Sequence, residues 1–386
     1  MKKCNTILSQ LLDFFPRYEF KKLVKKHKTE KHARGVTSWD HFVALMFCQL
    51  AGQDSLRSIE AGMATQVSRL YHSGTKPVNR SSLSYANARR SSALFEDIFY
   101  WMLSKCGDVA PKHKFRFKNP LYSLDATMIE LCLSMFDWAD YQKQKGAIKL
   151  HVKLNHAGYL PSFVVVTTGK EYETHIAPSI PLETGDVVTF DRGYLDFNYL
   201  KNLDNKGIYY VTRLRKDSAY KVVGRNEHIG KNILSDHRIK LTDRATSKKY
   251  HDEIRKIRVK DPETGKIIVL ITNNFKWAAS TIAAIYKDRW QIELFFKAIK
   301  QQLKIKSFIG TSLNALLSQI WTALITYLLL SYIKFKAKFR WSLYTLICIM
   351  PLNLFSRRNL WDWLNDPYKA DGNIDADTRQ MVLGFG

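Results

Sequence analysis

Three carboxylates in this sequence stand where chemistry is more natural than packing. Asp125 follows the apolar start of Tyr122-Ser-Leu-Asp-Ala-Thr127, and Asp191 closes the apolar run in Val187-Val-Thr-Phe-Asp-Arg-Gly-Tyr194. A carboxylate just past an apolar strand belongs neither to a core nor to an ordinary surface, and ligands commonly bind at the carboxyl edges of such sheets. Two aspartates on neighbouring strands suit hard cations, which take oxygen ligands. Each aspartate alone reads equally well as a turn or cap residue. The third group is Glu293, within Tyr286-Lys-Asp-Arg-Trp-Gln-Ile-Glu-Leu-Phe-Phe-Lys-Ala-Ile-Lys300. At about 100° per residue with Tyr286 at zero, Arg289 falls at roughly −60°, Glu293 at roughly −20° and Lys300 at roughly −40°, with Lys297 and Lys304 at about 20° and 0°. Ile285, Ile292, Phe296, Ile299 and Leu303 gather at about −100° as a stripe that docks on a sheet. Glu293 therefore lies at the rim of the buried stripe, inside a ridge of cations that can hold phosphates. The plain alternative is a surface chain of pairs, Arg289–Glu293–Lys297, contributing about 0.2–0.5 kcal/mol per pair.

These side chains need a sheet and a helix to hold them. The period-2 pattern predicts a short strand over Leu121–Ala126 and a hairpin of Ile148–Asn155 and Leu160–Thr168 around His156-Ala-Gly158. A buried strand Asp186–Phe190, a helix Tyr194–Asn205 closed by Gly207 and a strand Ile208–Leu214 form a β–α–β unit, which places two parallel strands side by side. The expected fold class is α/β, a mixed sheet covered by helices. Expected boundaries are a helical DNA-binding region over 1–115, the first part of the sheet core over 116–214 and a β-rich insertion over 215–273. The core continues over 274–340, with one long helix from about Ala278 to Lys304, and 341–386 is a C-terminal tail open to partner contacts, helical to about Ile349 and polar beyond. Within the first region, Asp54 is a candidate N-cap and Ser81 or Ser82 another. Two short helices around the Gly74–Pro77 break, the second carrying Arg80, Asn87, Arg89 and Arg90, suit a groove-reading element as well as an ordinary solvated face. Tyr172, Glu173 and His175 lie near the sheet without an assigned role.

Composition narrows the partner. Sixty Lys and Arg against 35 Asp and Glu give a formal net charge of +25 over 386 residues. Such an excess destabilises a compact state by self-repulsion, and points to a long polyanion, above all nucleic acid. Five scattered cysteines without a C-x-x-C pair support neither a disulfide framework nor a structural zinc site. A reducing, cytoplasmic setting is expected. The apolar run Ile320–Ile333 is too short for a confident span and reads as a buried core helix, so no membrane is expected.

Tyr286, Arg289, Glu293 and Lys300 reproduce the spacing Y-x2-R-x3-E-x6-K. In this the chain resembles the DDE transposases of bacterial insertion sequences, insertion-sequence family 4. Leu124-Asp-Ala-Thr127 is similar to that family's first-aspartate strand, and Phe190-Asp-Arg-Gly193 with Phe197 to its second. Arg80-Ser-Ser-Leu-Ser-Tyr-Ala-Asn87 and Lys304-Ile-Lys-Ser-Phe-Ile-Gly310 extend the likeness over nearly the whole chain. The resemblance implies a ribonuclease H-like core and a catalytic triad of Asp125, Asp191 and Glu293. It also implies that these three hold Mg²⁺, with Mn²⁺ able to substitute, as two ions that activate an attacking oxygen and stabilise a leaving one. Tyr286, Arg289, Lys297 and Lys300 would hold DNA phosphates, and Arg80, Arg89 and Arg90 the ends of the element. Trp277 and Trp290 are candidates to stack a flipped base. Double-stranded DNA and a homodimer bridging two ends are the implied partners. Two rival readings remain: a ribonuclease H-like nuclease that cuts without joining, and a non-catalytic DNA-binding regulator derived from a transposase. Short terminal inverted repeats and a duplicated target in the flanking DNA separate transposition from both.

Overall fold

The computed structural model describes residues 5–31, 33, 35–131, 140–142, 145–227, 230–303, 305 and 308–368. The N-terminal stretch is helical: α1 Ile7–Leu12, α2 Arg17–His27, α3 Ser38–Leu50, α4 Leu56–Ala64, α5 Val67–Leu70, α6 Arg80–Arg89 and α7 Ala93–Gly107. Local chemistry sets their starts. Thr37 and Asp40 form a capping box for α3, and Ser55 with Ser58 does the same for α4. Ser55, one residue past the expected Asp54, is thus the cap of α4. For α6 the cap position is Asn79, and the first backbone N–H is satisfied from a distance by Glu60 Oε1 at 3.0 Å rather than by Ser81 or Ser82.

The remainder is built on one mixed sheet. Its strands are β1 Leu121–Leu131, β2 Asp140–Gln142, β3 Lys145–Asn155, β4 Leu160–Thr168, β5 Val187–Phe190 and β6 Tyr209–Arg213, followed by β7 Tyr220–Asn226, β8 Ile233–Leu241, β9 Ile254–Lys260 and β10 Ile267–Thr272. The spatial order is β2-β3-β1-β5-β6-β10-β9-β8-β7, with β4 also on the outer edge of β3. Strands β1, β5 and β6 run parallel, and every other pairing is antiparallel. The segment from 215 to 273 therefore extends this same sheet through β10 on β6. The β3–β4 turn needs Gly158, whose φ is +70° and whose Cβ, if present, would lie 2.9 Å from the Phe335 ring.

The helices of the second half are α8 Glu173–Ile176, α9 Phe197–Asn205, α10 Arg244–Lys249, α11 Ala279–Asp288, α12 Gln291–Lys297, α13 Leu313–Lys336, α14 Leu343–Asn353 and α15 Leu360–Asn365. Helix α13 is long and apolar enough to cross a membrane, yet 89% of its most apolar window is buried inside the protein. It is the centre of a core that includes Phe42 and Leu45 of α3, Phe95 and Phe99 of α7, Leu150 and Val152 of β3 and Phe295 of α12. The N-terminal helices thus share one core with the sheet and α13. The polar tail expected beyond about Ile349 is corrected as far as it is described. Leu346, Leu354, Leu360 and Trp363 bury into that same core, and Gln10 of α1 bonds the backbone at Arg358 and Leu360. Residues 369–386 lie outside the described residues.

Leu328 in α13 is fully buried. Leu328→Ala should cost about 2–5 kcal/mol, measured as a drop in the denaturant midpoint with unchanged slope. A loss below about 1 kcal/mol would show that α13 is not a packed core helix.

Candidate active site

The parallel register between β1 and β5 runs from Leu121↔Val187 to Leu124↔Phe190 and stops there. Strand β5 ends at Phe190, whereas β1 continues to Leu131 because β3 pairs with it as far as Gly146. Asp125 and Asp191 are thus the next register step, at a fork where one strand ends and the other goes on. The expectation that Asp125 ends its strand is corrected: it lies within β1, and only its β5 neighbour ends. Leu124 and Phe190 bury against the α9 side. Alternation turns both aspartates to the opposite face, where Arg289 Nη1 stands 3.4 Å from Asp125 Oδ2. Asp191 Oδ1 accepts the Gly193 N–H at 2.8 Å, which fixes its rotamer, and a Cβ at Gly193 would come within 3.0 Å of that same oxygen.

The single helix expected from Ala278 to Lys304 is broken. After α11 the ladder tightens, with Trp290, Ile292 and Glu293 N–H groups reaching back only three residues, to Lys287, Arg289 and Trp290. Near the far end it widens, and Leu303 N–H bonds Ala298 O at 3.1 Å. A uniform rotation per residue does not survive these changes, so the expected ridge is not one open face. Tyr286 is buried in the α11 core, and the Arg289 guanidinium lies 5.6 Å from its ring. Arg289 is mostly buried, the Glu293 side chain is 39% exposed, Lys297 is exposed and Lys300 half-buried. Lys304 lies outside the described residues.

Electrostatics couples these groups. Arg289 Nη1 is also 3.5 Å from Glu293 Oε1, so one guanidinium spans Asp125 and Glu293. Burial pushes the Asp125 carboxyl up to about 7, and the negative charges of Glu293 and Asp191 push the same way against the Ala126 N–H and Arg289. Nearby, the buried Tyr194 phenol is held protonated first by desolvation and then by Asp125, Glu173 and Asp191. Glu173, which had no assigned role, is therefore a fourth acid of this neighbourhood, paired with Lys149 Nζ at 3.1 Å. In kind, the donors suit a hard divalent cation. In arrangement, no three His, Cys, Asp or Glu groups converge at ligating distance among the described residues, and Arg289 occupies the space between two of them.

The expected DNA contacts divide. Arg80 and Arg89 are exposed on α6, Arg89 over the Tyr85 ring at 5.5 Å. Arg90 instead donates to the Thr37 carbonyl at 2.7 Å and to that of Val36. Asn87 is buried, its Oδ1 2.6 Å from His41 Nε2. Helices α4 and α6 are separated by α5 and a further tight turn, wider than the roughly 3–4-residue connection of a helix-turn-helix. Trp277 is taken up in packing, stacked on Phe117 at 4.1 Å, whereas Trp290 is 58% exposed beside Arg289. A buried trio escaped the sequence reading altogether: Ser123 Oγ lies 2.7 Å from His156 Nε2, and His156 Nδ1 lies 2.7 Å from Asp288 Oδ2. Its one signal was an acid, Asp288, close beside the apolar stripe of a helix.

The fork of parallel strands thus carries two acids, and the helix that meets it carries a third. Residues 116–329 match the family described as the transposase DDE domain, which is more than half of the chain. The chain belongs to that family. Residues 3–76 match a second family, described as a domain of unknown function. A protein of Sinorhizobium fredii named as a transposase is 32% identical over 64% of this chain and 69% of its own. A transposase for an insertion sequence element of Geobacillus stearothermophilus is 28% identical over 69% of each. The transposase of insertion sequence element IS4 of Escherichia coli is 25% identical over 48% of this chain and 43% of its own. A solved piggyBac transposase synaptic complex with hairpin DNA aligns over 96% of this chain and 83% of its own, at TM-score 0.45 and 11% identity.

Folding raises the Asp125 pKa from 3.8 to about 7, so the folded state binds more protons than the unfolded one between those values. This group's contribution to stability is full below the lower value and is lost as pH rises through the upper one. Asp125→Asn should therefore make the metal-free protein more stable than wild type at about pH 7.5 and flatten its stability between about pH 4.5 and 7. Chemical denaturation across that range checks it, and a destabilised variant at the upper pH would contradict the crowding.

Proposed function

We propose that this chain is an insertion-sequence transposase of the family-4 type. It binds the terminal inverted repeats of its element, then cuts and joins DNA at Asp125, Asp191 and Glu293. The observation that carries the reading is the β1–β5 register, which sets the two aspartates side by side on the face where α12 presents Glu293. Three parallel strands flanked by a hairpin, with helices on both faces, support the ribonuclease H-like core. The acid set supports Mg²⁺, with Mn²⁺ as substitute: burial holds the Asp125 carboxyl up to about 7, and the charges of Glu293 and Asp191 push the same way. Asp125, Asp191 and Glu293 would hold the ions, which when bound activate the attacking oxygen and stabilise the leaving one.

In-line displacement at phosphorus asks the protein mainly for positioning and charge stabilisation. Arg289 is suited to that role because it is poorly paired. Its contacts at 3.4 and 3.5 Å are long, beyond the ~3.2 Å of a good hydrogen bond, and its buried Nε has no hydrogen-bond partner among the described residues. A phosphate oxygen in the site offers it a better acceptor, and the Tyr286 ring holds the guanidinium from behind. Lys297 at the end of α12 and Lys300 in the turn beyond it would add positive charge along the bound DNA strand. Trp290, exposed beside Arg289, is the aromatic surface for a base turned out of the duplex, while Trp277 is covered by Phe117. End recognition falls to Arg80 and Arg89 on α6, with Tyr85 beside them; Arg90 holds the backbone that leads into α3. Water serves as the first attacking group and a liberated 3′-hydroxyl as the second, with two copies of the chain bridging two ends.

The test uses a labelled element end with Mg²⁺, reading nicked, hairpin and joined products. Asp125→Asn, Asp191→Asn and Glu293→Gln should each reduce cleavage by on the order of 10³-fold or more while end binding is largely spared. Full activity in any one variant removes that residue from the centre. Cutting without joining would make the protein a nuclease, and end binding without any product a regulator.

A further inference from the structure

Asp288 closes α11 with its side chain almost wholly buried, 2% exposed. A carboxylate taken out of water is costly unless it is paired and hydrogen-bonded. Here it has a full set of partners: Lys114 Nζ at 2.6 Å, His156 Nδ1 at 2.7 Å and the Tyr159 hydroxyl at 3.3 Å. An ionised carboxylate only accepts, so the proton lies on Nδ1 of His156 and the neutral ring's Nε2 accepts from Ser123, 2.7 Å away. Ser123 and His156 are buried to within 1%. The order Ser–His–Asp therefore has no access to a substrate and is not a nucleophile with its base.

Its placement gives it a different task. Ser123 lies on β1, two residues before Asp125 and on the same face. His156 opens the turn after β3, the strand that pairs along β1. Asp288 immediately precedes Arg289, at the junction where the helical ladder tightens and regular bonding no longer dictates the path. The bonds from Asp288 to His156 and on to Ser123 thus tie the end of α11 to the strand that carries Asp125.

We propose that Asp288, held through His156 and Ser123, is a positioning residue that sets Arg289, and with it α12 and Glu293, against Asp125. The proposal rests on the reading of Arg289 and Glu293 as parts of the site.

The experiment measures single-turnover end cleavage and end binding by the full chain, for Asp288→Asn and Ser123→Ala, each alone and combined with Arg289→Ala. Asp288→Asn should slow cleavage by about 10–100-fold with little change in binding, and Ser123→Ala, the milder change, should slow it less. In the Arg289→Ala background the further loss should be clearly smaller, because part of the effect passes through the Arg289 side chain. An equal loss in both backgrounds would reduce the network to general stability and overturn the proposal, as would no loss at all. Hydrogen exchange gives a readout independent of activity: Asp288→Asn should deprotect the amides of Arg289–Glu293 and leave those of α13 unchanged. Unchanged exchange at Arg289–Glu293 would also overturn it. If wild-type chain binds ends but never cuts them, the reading of the site fails, while exchange still reports on the tether.

Discussion

Like charges crowded at a fork in the sheet are the constraint on which the rest depends. Asp125, Asp191 and Glu293 bear on one another in a mostly buried space, with one guanidinium to offset them. Burial, with the charges of Glu293 and Asp191 adding to it, leaves Asp125 holding its proton to about 7. The same crowding that costs stability makes a place for added positive charge. In the proposed function Asp125, Asp191 and Glu293 would hold a divalent ion that offsets their charge, and Arg289 would then be left to meet a phosphate.

Holding acids together against their repulsion calls for a stiff frame. Strands β1, β5 and β6 supply it from below, and α11 and α12 from the side. Behind them α13 joins the N-terminal helices, the outer strands and α14–α15 in one core. That continuity ties the exposed face of α6 to the centre. Asn314, in the first turn of α13, donates to the carbonyls of Asn87 and Arg90 at the end of α6, and accepts from the Ser92 N–H. Helix α6 is thus packed and hydrogen-bonded into the same core as the elements that carry the acids.

Much of this was legible because local pattern suffices where local physics decides. Apolar runs ending in Asp marked the strands at 125 and 191, and the hairpin around His156 and the buried helix at 320–333 followed from period alone. The mixed α/β architecture came from the order of those pieces. Where the sequence reading failed, the deciding partner was far along the chain. Arg90 looked like a groove contact, but its carbonyl acceptors are at Val36 and Thr37. Trp277 looked open until Phe117 was found stacked upon it. The continuous helix through Glu293 breaks between Tyr286, buried in one core cluster, and Phe296, buried in another. Asp288 finds His156 across 132 residues, which no window along the sequence can connect.

The most direct measurement of the central claim is to let a redox-active ion report its own position. With Fe²⁺ in place of Mg²⁺ and ascorbate and peroxide present, locally generated radicals cut the nearest backbone. Cuts are expected beside Asp125, beside Asp191 and beside Glu293 together, all suppressed by excess Mg²⁺ and all lost in Asp125→Asn. Cuts confined elsewhere, or cuts at these places that excess Mg²⁺ leaves untouched, would contradict a shared cation centre.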